Sequence, residues 1–317
     1  MKRRAFIPLA AAATVLRPAV GIGQPKIRTV GILDPGDPTP FLSEFRKGLS
    51  GLGYVEGKTI RLEVRMAESK IELLPRLAEE LVRLKVDVIV ARLTTALRAA
   101  MQATKEIPIV MTAVGGPVET SLVASLARPG GNVTGMSLGG VQLAGKRVQL
   151  IHEVLPAMRR LIFIANSGDP FSDTIAATMA DVARGLPVQT TSVTTSAAEL
   201  ETAFTVLARE RPDAIHTMAN LPTKPIAELA LKNRIPLFAT QRSAVEVGAL
   251  LSYGGRLEEQ YRGAAVYLDK ILRGAAPASL PVEEPSRFEL TINMKTAREL
   301  GLVIPPTLLA QADEIIE

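Results

Sequence analysis

Short polar residues gather where the apolar runs of this chain end: Asp34-Pro35-Gly36, Thr94-Thr95, Gly115-Gly116, Ser137, Asn166-Ser167, Asn220 and Gln241-Arg242. Most stand directly ahead of a stretch with helical spacing. Hydroxyl, amide and backbone N–H groups at the start of a helix form a receptor for a carboxylate. The chemistry they can do is recognition, a small molecule held by hydrogen bonds with no bond made or broken. Each residue taken singly is also an ordinary cap or turn residue. Their recurrence in both halves of the chain is what points to a site.

The tools of catalysis are missing from the same loops. No GxGxxG follows an apolar run, and Gly48, Gly51 and Gly53 lie at a helix end with the spacing reversed. No GxxxxGK[ST] phosphate loop occurs. The two histidines, His152 and His216, have no cysteine or second histidine at ligand spacing, so neither a metal nor another cofactor is expected. His152 falls in an amphipathic run and reads as a surface or interlobe side chain. His216 sits inside an apolar run, as a buried structural histidine or one facing a cleft. The acidic pairs Glu79-Glu80, Glu258-Glu259 and Glu283-Glu284 are sequence neighbours, which point apart on a helix, and they read as solvated surface. The chain is not expected to be an enzyme.

The elements that must position these loops follow from periodicity. Apolar runs at 28–33, 60–65, 86–91, 107–113 and 133–138 read as buried parallel strands. The runs at 161–166, 188–193, 214–218, 236–240, 249–253 and 288–293 repeat the pattern. Between them, 41–52, 73–84, 95–105, 119–127 and 142–155 place apolar residues at three- and four-residue steps. A further helix follows Ser196, whose partner Glu199 completes a capping box. Another covers 256–272, and a terminal one starts near Pro305-Pro306. Alternation of this kind predicts an α/β protein with doubly wound, Rossmann-like sheets. The segments VGILDPGDPTPF and LIFIANSGDPF both run from a strand into Gly-Asp-Pro and then phenylalanine, an echo that suggests two similar lobes.

Length agrees, because 317 residues is comfortable for two domains of about 150 each. Strands are expected to cross between lobes near 133–138 and 250–255, where Gly139-Gly140 and Gly254-Gly255 tolerate the dihedral changes of a hinge. The expected division is 27–138 plus 256–280 for the first lobe and 139–255 plus 281–317 for the second.

The formal charge of +5 is concentrated at the start, where Lys2, Arg3, Arg4 and Arg17 stand among 23 residues without an acid. Removing them leaves +1, which gives no electrostatic footprint for nucleic acid. That segment has a basic start, an apolar stretch from Ala5 to Leu16 and small residues up to Gly23, the order of a secretory signal over residues 1–23. Arg3-Arg4 with Phe6 and Ile7 matches a twin-arginine signal in part, so the export route stays open. With no cysteine there is no disulfide framework and no lipid-attachment site. A soluble periplasmic monomer without a lipid anchor is the expectation.

Three stretches carry a resemblance: FRKGLSGLGYVEGKTIRLEVRMAE, LVASLARPGGNVTGMSL and the C-terminal string from ALLSYGGRLEEQYRG to QADEIIE. They resemble ABC transporter substrate-binding proteins of the tryptophan/tyrosine type over nearly all of 27–317. The resemblance implies a type I periplasmic-binding-protein fold with three crossovers and a ligand in the interlobe cleft. It further implies delivery to permease transmembrane subunits served by a cytoplasmic ATPase. The ligand it implies is an amino acid, aromatic ones included, or another small carboxylate. Where such relatives commonly show Asp-Pro-Val after the fourth strand, this chain has Gly116-Pro117-Val118. A partner for an α-ammonium group is lost there, and Arg92 and Arg242 become candidates to receive a carboxylate lacking that group. A ligand-sensing periplasmic subunit, an effector-binding domain of a regulator and an enzyme on the same fold are the competing readings. The regulator would need a helix-turn-helix ahead of the first strand.

Overall fold

A computed structural model describes residues 27–218 and 221–317. The expected signal over 1–23 and Asn220 lie outside the described residues. The first lobe is built from β1 (Arg28–Asp34), α1 (Thr39–Gly51), β2 (Ile60–Met66), α2 (Leu74–Arg83), β3 (Val88–Arg92), α3 (Leu93–Ala103), β4 (Ile109–Val114) and β5 (Val133–Ser137). Its sheet is parallel throughout, in the order β2-β1-β3-β4-β5. The second lobe follows with α4 (Gln142–Val154), β6 (Arg160–Asn166), α5 (Pro170–Ala183), β7 (Gln189–Thr195), α6 (Leu200–Glu210), β8 (Ala214–Thr217), α7 (Thr223–Lys232), β9 (Leu237–Ala239), α8 (Arg242–Glu246) and β10 (Leu251–Gly255). After α9 (Leu257–Leu272) come β11 (Phe288–Asn293), α10 (Met294–Leu300), α11 (Pro306–Leu309) and β12 (Glu314–Ile316). The second sheet runs β12-β11-β10-β9-β8-β6-β7, with β10 and β11 antiparallel.

Burial explains the continuous apolar strands. β4 is buried along its whole length and β3 at every residue but Arg92, because helices cover both faces of the first sheet. One face carries α2 and α3, through Leu77, Leu81 and Leu97. On the other lie α1 and α9, through Phe41, Phe45, Leu49, Ala265 and Leu268. Helix α9 follows β10 of the second lobe, yet it packs on the first. Gly48 allows this close approach, since a Cβ there would stand 2.8 Å from Ala265 Cβ.

The chain therefore passes between lobes three times, between β5 and α4, between β10 and α9, and between α9 and β11. The third passage lies against the first: Ser137 N–H donates to Glu283 O (2.8 Å) and Glu283 N–H to Gly135 O (3.0 Å). Ser137 Oγ accepts the N–H of Gly139 (3.1 Å), and Gly139 has φ +89°, a region that favours glycine. The strand-end echo is structural as well. Asp37 Oδ1 accepts Thr39 N–H (2.9 Å) and Asp169 Oδ1 accepts Phe171 N–H (3.0 Å), so each turn starts the first helix after its lobe's first strand.

Three expectations are corrected. The segment 119–127 forms turns instead of a helix, because Leu122 and Val123 both donate to Pro117 O and Ser121 adopts φ +57°. The box at Ser196 closes side chain to side chain, Ser196 Oγ donating to Glu199 (2.9 Å), and a 3-10 turn over Ala197–Glu199 precedes α6. The tail holds α10 and β12 besides the short helix at Pro306. Asn293 caps α10 by accepting Thr296 N–H (2.8 Å), and Asp313 ties the approach to β12 by accepting Leu290 N–H (2.8 Å). Among the described residues no helix is long and apolar enough to cross a membrane.

Candidate functional site, an interlobe cleft with an inner chamber

The carboxyl ends of parallel strands are where open α/β sheets bind ligands, and those of the two lobes face each other here. Between them lies a cleft of about 810 Å³. Pro35 and Gly36 line it from the loop after β1, Asn166 and Ser167 from the loop after β6, and Gln241 from the loop after β9. Gly36 N–H donates to Asp34 Oδ1 (2.8 Å) and Gly168 N–H to Asn166 Oδ1 (3.2 Å), so equivalent turns shape both walls. Lys70, Thr223 and Tyr261, which spacing within single elements did not single out, also line the cleft, as do Ser196, expected as a helix cap, and Glu258, expected as solvated surface.

Asp34 does not line the cleft. It is fully buried and receives a two-pronged hydrogen bond from Arg92, Nε to Oδ2 and Nη2 to Oδ1 (2.7 Å). Burial would pull the Arg92 guanidinium down; its hydrogen bonds and charge contact with Asp34 outweigh that and raise it above its ordinary value. Tyr261, packed edge-on to Phe41 (5.1 Å between centroids), adds its hydroxyl to this group. Arg92 is thus neutralised by a carboxylate from its own lobe and is not a free carboxylate receptor. Arg242 fails for the same reason, since it pairs with Glu314 and with Glu246 (3.4 Å) at the surface. Thr95 lies half-buried on α3 and lines neither cavity, while Ser137 is held by the crossover.

Leu93 and Gln241 border both the cleft and an inner chamber of about 30 Å³ next to the crossovers. Thr94, Gly115, Gly139, Arg147, Asp169 and Phe171 line this chamber. Phe171 belongs to the second lobe's core, and its ring lies against Gly115 and Gly116 of the first lobe. At the mouth of the cleft Ile71 of the first lobe sits on Gly168 of the second. The two lobes touch at these points.

Arg147 is buried, with its Nε donating to Tyr253 O (2.8 Å), and burial pulls its guanidinium down to about 10. The signal for it was present in α4, where Leu143, Arg147 and Ile151 form one buried stripe at four-residue spacing. An arginine on such a stripe needs a reason. His216 stands nearby, fully buried, with Nδ1 donating to Phe238 O (3.1 Å), the carbonyl fixing the tautomer, and Nε2 without a partner. Burial, reinforced by the Arg147 charge, pushes its pKa to about 3 against the Phe238 hydrogen bond.

The linkage sign follows. Below pH 6.5 the unfolded chain takes a proton at His216 that the native state refuses, so stability falls as pH drops toward 3. The slope from this group is about 1.4 kcal/mol per pH unit. His216→Leu should flatten the decline of Tm between pH 6 and pH 4 measured by calorimetry. Parallel declines in the two proteins would show that His216 is not buried neutral. Among the described residues no group of three or more His, Asp or Glu could hold a metal.

The sequence profile described as ABC transporter substrate binding protein matches residues 40–316. The chain belongs to that family. A curated member, the tyrosine-binding protein of Clostridioides difficile, is 30% identical over 264 residues, covering 81% of this chain and 75% of its own length. Among solved structures, a conserved domain protein from Vibrio cholerae superposes with a TM-score of 0.84 at 29% identity, covering 92% of this chain and 100% of that one. An ABC domain from Streptococcus pneumoniae in complex with L-Trp gives 0.81 at 26% identity, with 92% and 100% covered. This substrate-binding protein has the type I periplasmic-binding-protein fold, two α/β lobes joined by three crossovers. Its family is one of binding proteins, not of enzymes.

Proposed function

We propose that the chain is exported to the periplasm and serves an ABC importer. It captures an amino acid, aromatic ones included, or another small carboxylate between its lobes by hinge closure and hands it to a permease driven by a cytoplasmic ATPase. The observation that carries this reading is the cleft of about 810 Å³ whose two walls come from strand-end loops of different lobes. A cavity of that size suits a small organic molecule. Three crossovers, two of them flanked by glycines, leave the lobes free to move about a common axis. Tyr261 offers an aromatic wall, and tyrosine and tryptophan, the ligands of the relatives named above, are the first to test. Export is supported by the basic and then apolar order of residues 2–16.

Mass spectrometry of the purified, denatured protein identifies a ligand carried through purification, and thermal shift ranks candidates. A true ligand at 100 times its Kd adds about 2.7 kcal/mol of stability. Absence of any retained molecule, together with no shift across amino acids and small organic acids, defeats the proposal.

A further inference from the structure

We infer that Arg147 is the receptor for the negatively charged end of the ligand, so that the cleft accepts molecules bearing a carboxylate and rejects their neutral counterparts. This deepens the reading of the cleft as a ligand site and rests on it.

Arg147 presents an unbalanced charge. It is 8% exposed, and among the described residues no carboxylate lies within ion-pair distance of it. Its Nε is spent on the Tyr253 carbonyl, and neither Nη has a hydrogen-bond partner among the described residues. A buried cation without an anion is costly, and a group so perturbed beside a cleft marks a candidate functional site. The other arginine lining the cleft, Arg92, has its aspartate; Arg147 does not.

The place fits an anionic head group. The inner chamber, at about 30 Å³, takes a group of one or two waters' size, and it opens past Leu93 and Gln241 onto the cleft that would hold the rest of the molecule. Thr94 and Gly115 line the same space. Of the ionisable groups nearby, His216 is neutral above pH 3, and the Asp169 carboxylate caps α5 through Phe171 N–H. Neither forms an ion pair with Arg147, although Asp169 lines the same chamber. A purely structural role, pinning Tyr253 in the middle of β10, needs only Nε.

The test compares the full protein with Arg147→Met, which keeps an unbranched apolar stem and removes the charge. Thermal melts are run with sodium formate against sodium chloride at equal ionic strength. Calorimetric titrations follow with L-tyrosine, L-tryptophan, benzoate and phenylacetate, each beside its amide. The inference expects the ligand-free variant to melt no lower than the parent. Formate should raise the Tm of the parent alone. Any acid that binds should lose about 100-fold in the variant and in its own amide. Tyrosine or tryptophan binding identifies an amino acid as the source of the carboxylate, and benzoate or phenylacetate a simple acid; both support the inference. It is overturned by a variant that binds acids as tightly as the parent, by equal formate shifts, by amides that bind as well as acids, or by a variant that fails to fold. Formate protection with no acid bound sinks the import reading while leaving the anion receptor standing.

Discussion

Replacing Gly116 by valine is expected to hold the lobes apart and weaken ligand capture by two or more orders of magnitude. Gly116 has φ +46°, a left-handed conformation that costs a residue with a Cβ about 1–2 kcal/mol and a β-branched one more. The larger effect is steric. A Cβ at this position would enter the space of the Phe171 ring, which lies against Gly115 and Gly116 from the opposite lobe. Phe171 is 2% exposed within the second lobe's core and has no room to swing aside. Relief therefore comes from separating the lobes. Small-angle scattering should show a larger radius of gyration for Gly116→Val, and Phe171→Ala in the same chain should restore the compact form. The rescue variant carries its own loss of about 3–5 kcal/mol from the emptied core position, so it is compared below its Tm. A Gly116→Val protein with unchanged radius and affinity would show that this contact is no part of the ligand-bound arrangement.

The second large effect concerns stability. Asp34→Ala strands the Arg92 guanidinium, whose side chain is 13% exposed, without its carboxylate. Breaking a buried pair by removing one partner costs about 3–5 kcal/mol. Removing both charges is far milder, so the double variant Asp34→Ala/Arg92→Met should recover most of the loss in chemical denaturation. A residue of it will persist, because Asp34 also accepts the N–H of Gly36. A single variant as stable as the parent would mean that Arg92 finds water when its partner is gone.

Both expectations bear on how the site is assembled. Asp34 and Gly116 both stand at strand ends, and the sequence offered both as ligand contacts. Neither needs to touch a ligand to matter. Asp34 fixes Arg92 and, through it, the Tyr261 hydroxyl that forms part of the cleft wall. Gly116 gives way so that the other lobe can approach. Pro35, Gly36, Asn166, Ser167 and Gln241 do face the cleft, and Thr94 and Gly115 face its inner chamber. Strand ends of an α/β sheet open toward one edge whatever the loop sequence, which is why these positions were legible.

What the sequence by itself determined is local. Its apolar periodicity fixed all eleven of the strands through β11 to within a few residues and most of the helices, and its Gly-Asp-Pro echo reflected matching turns in two lobes. It failed at 119–127, where a helical apolar pattern is overruled by carbonyls of Gly116 and Pro117 that capture the following N–H groups. Only the tertiary structure decided which charges are spent and which remain. Arg92 meets a carboxylate 58 residues away and Arg242 one 72 residues away, and no spacing rule within one element can pair them. The same holds for α9 returning to the first lobe, for Phe171 meeting Gly116, and for Arg147 reaching a chamber that two lobes enclose. Periodicity records which face of an element is buried; what that face is buried against depends on how distant parts of the chain pack, and the recognition chemistry lives there.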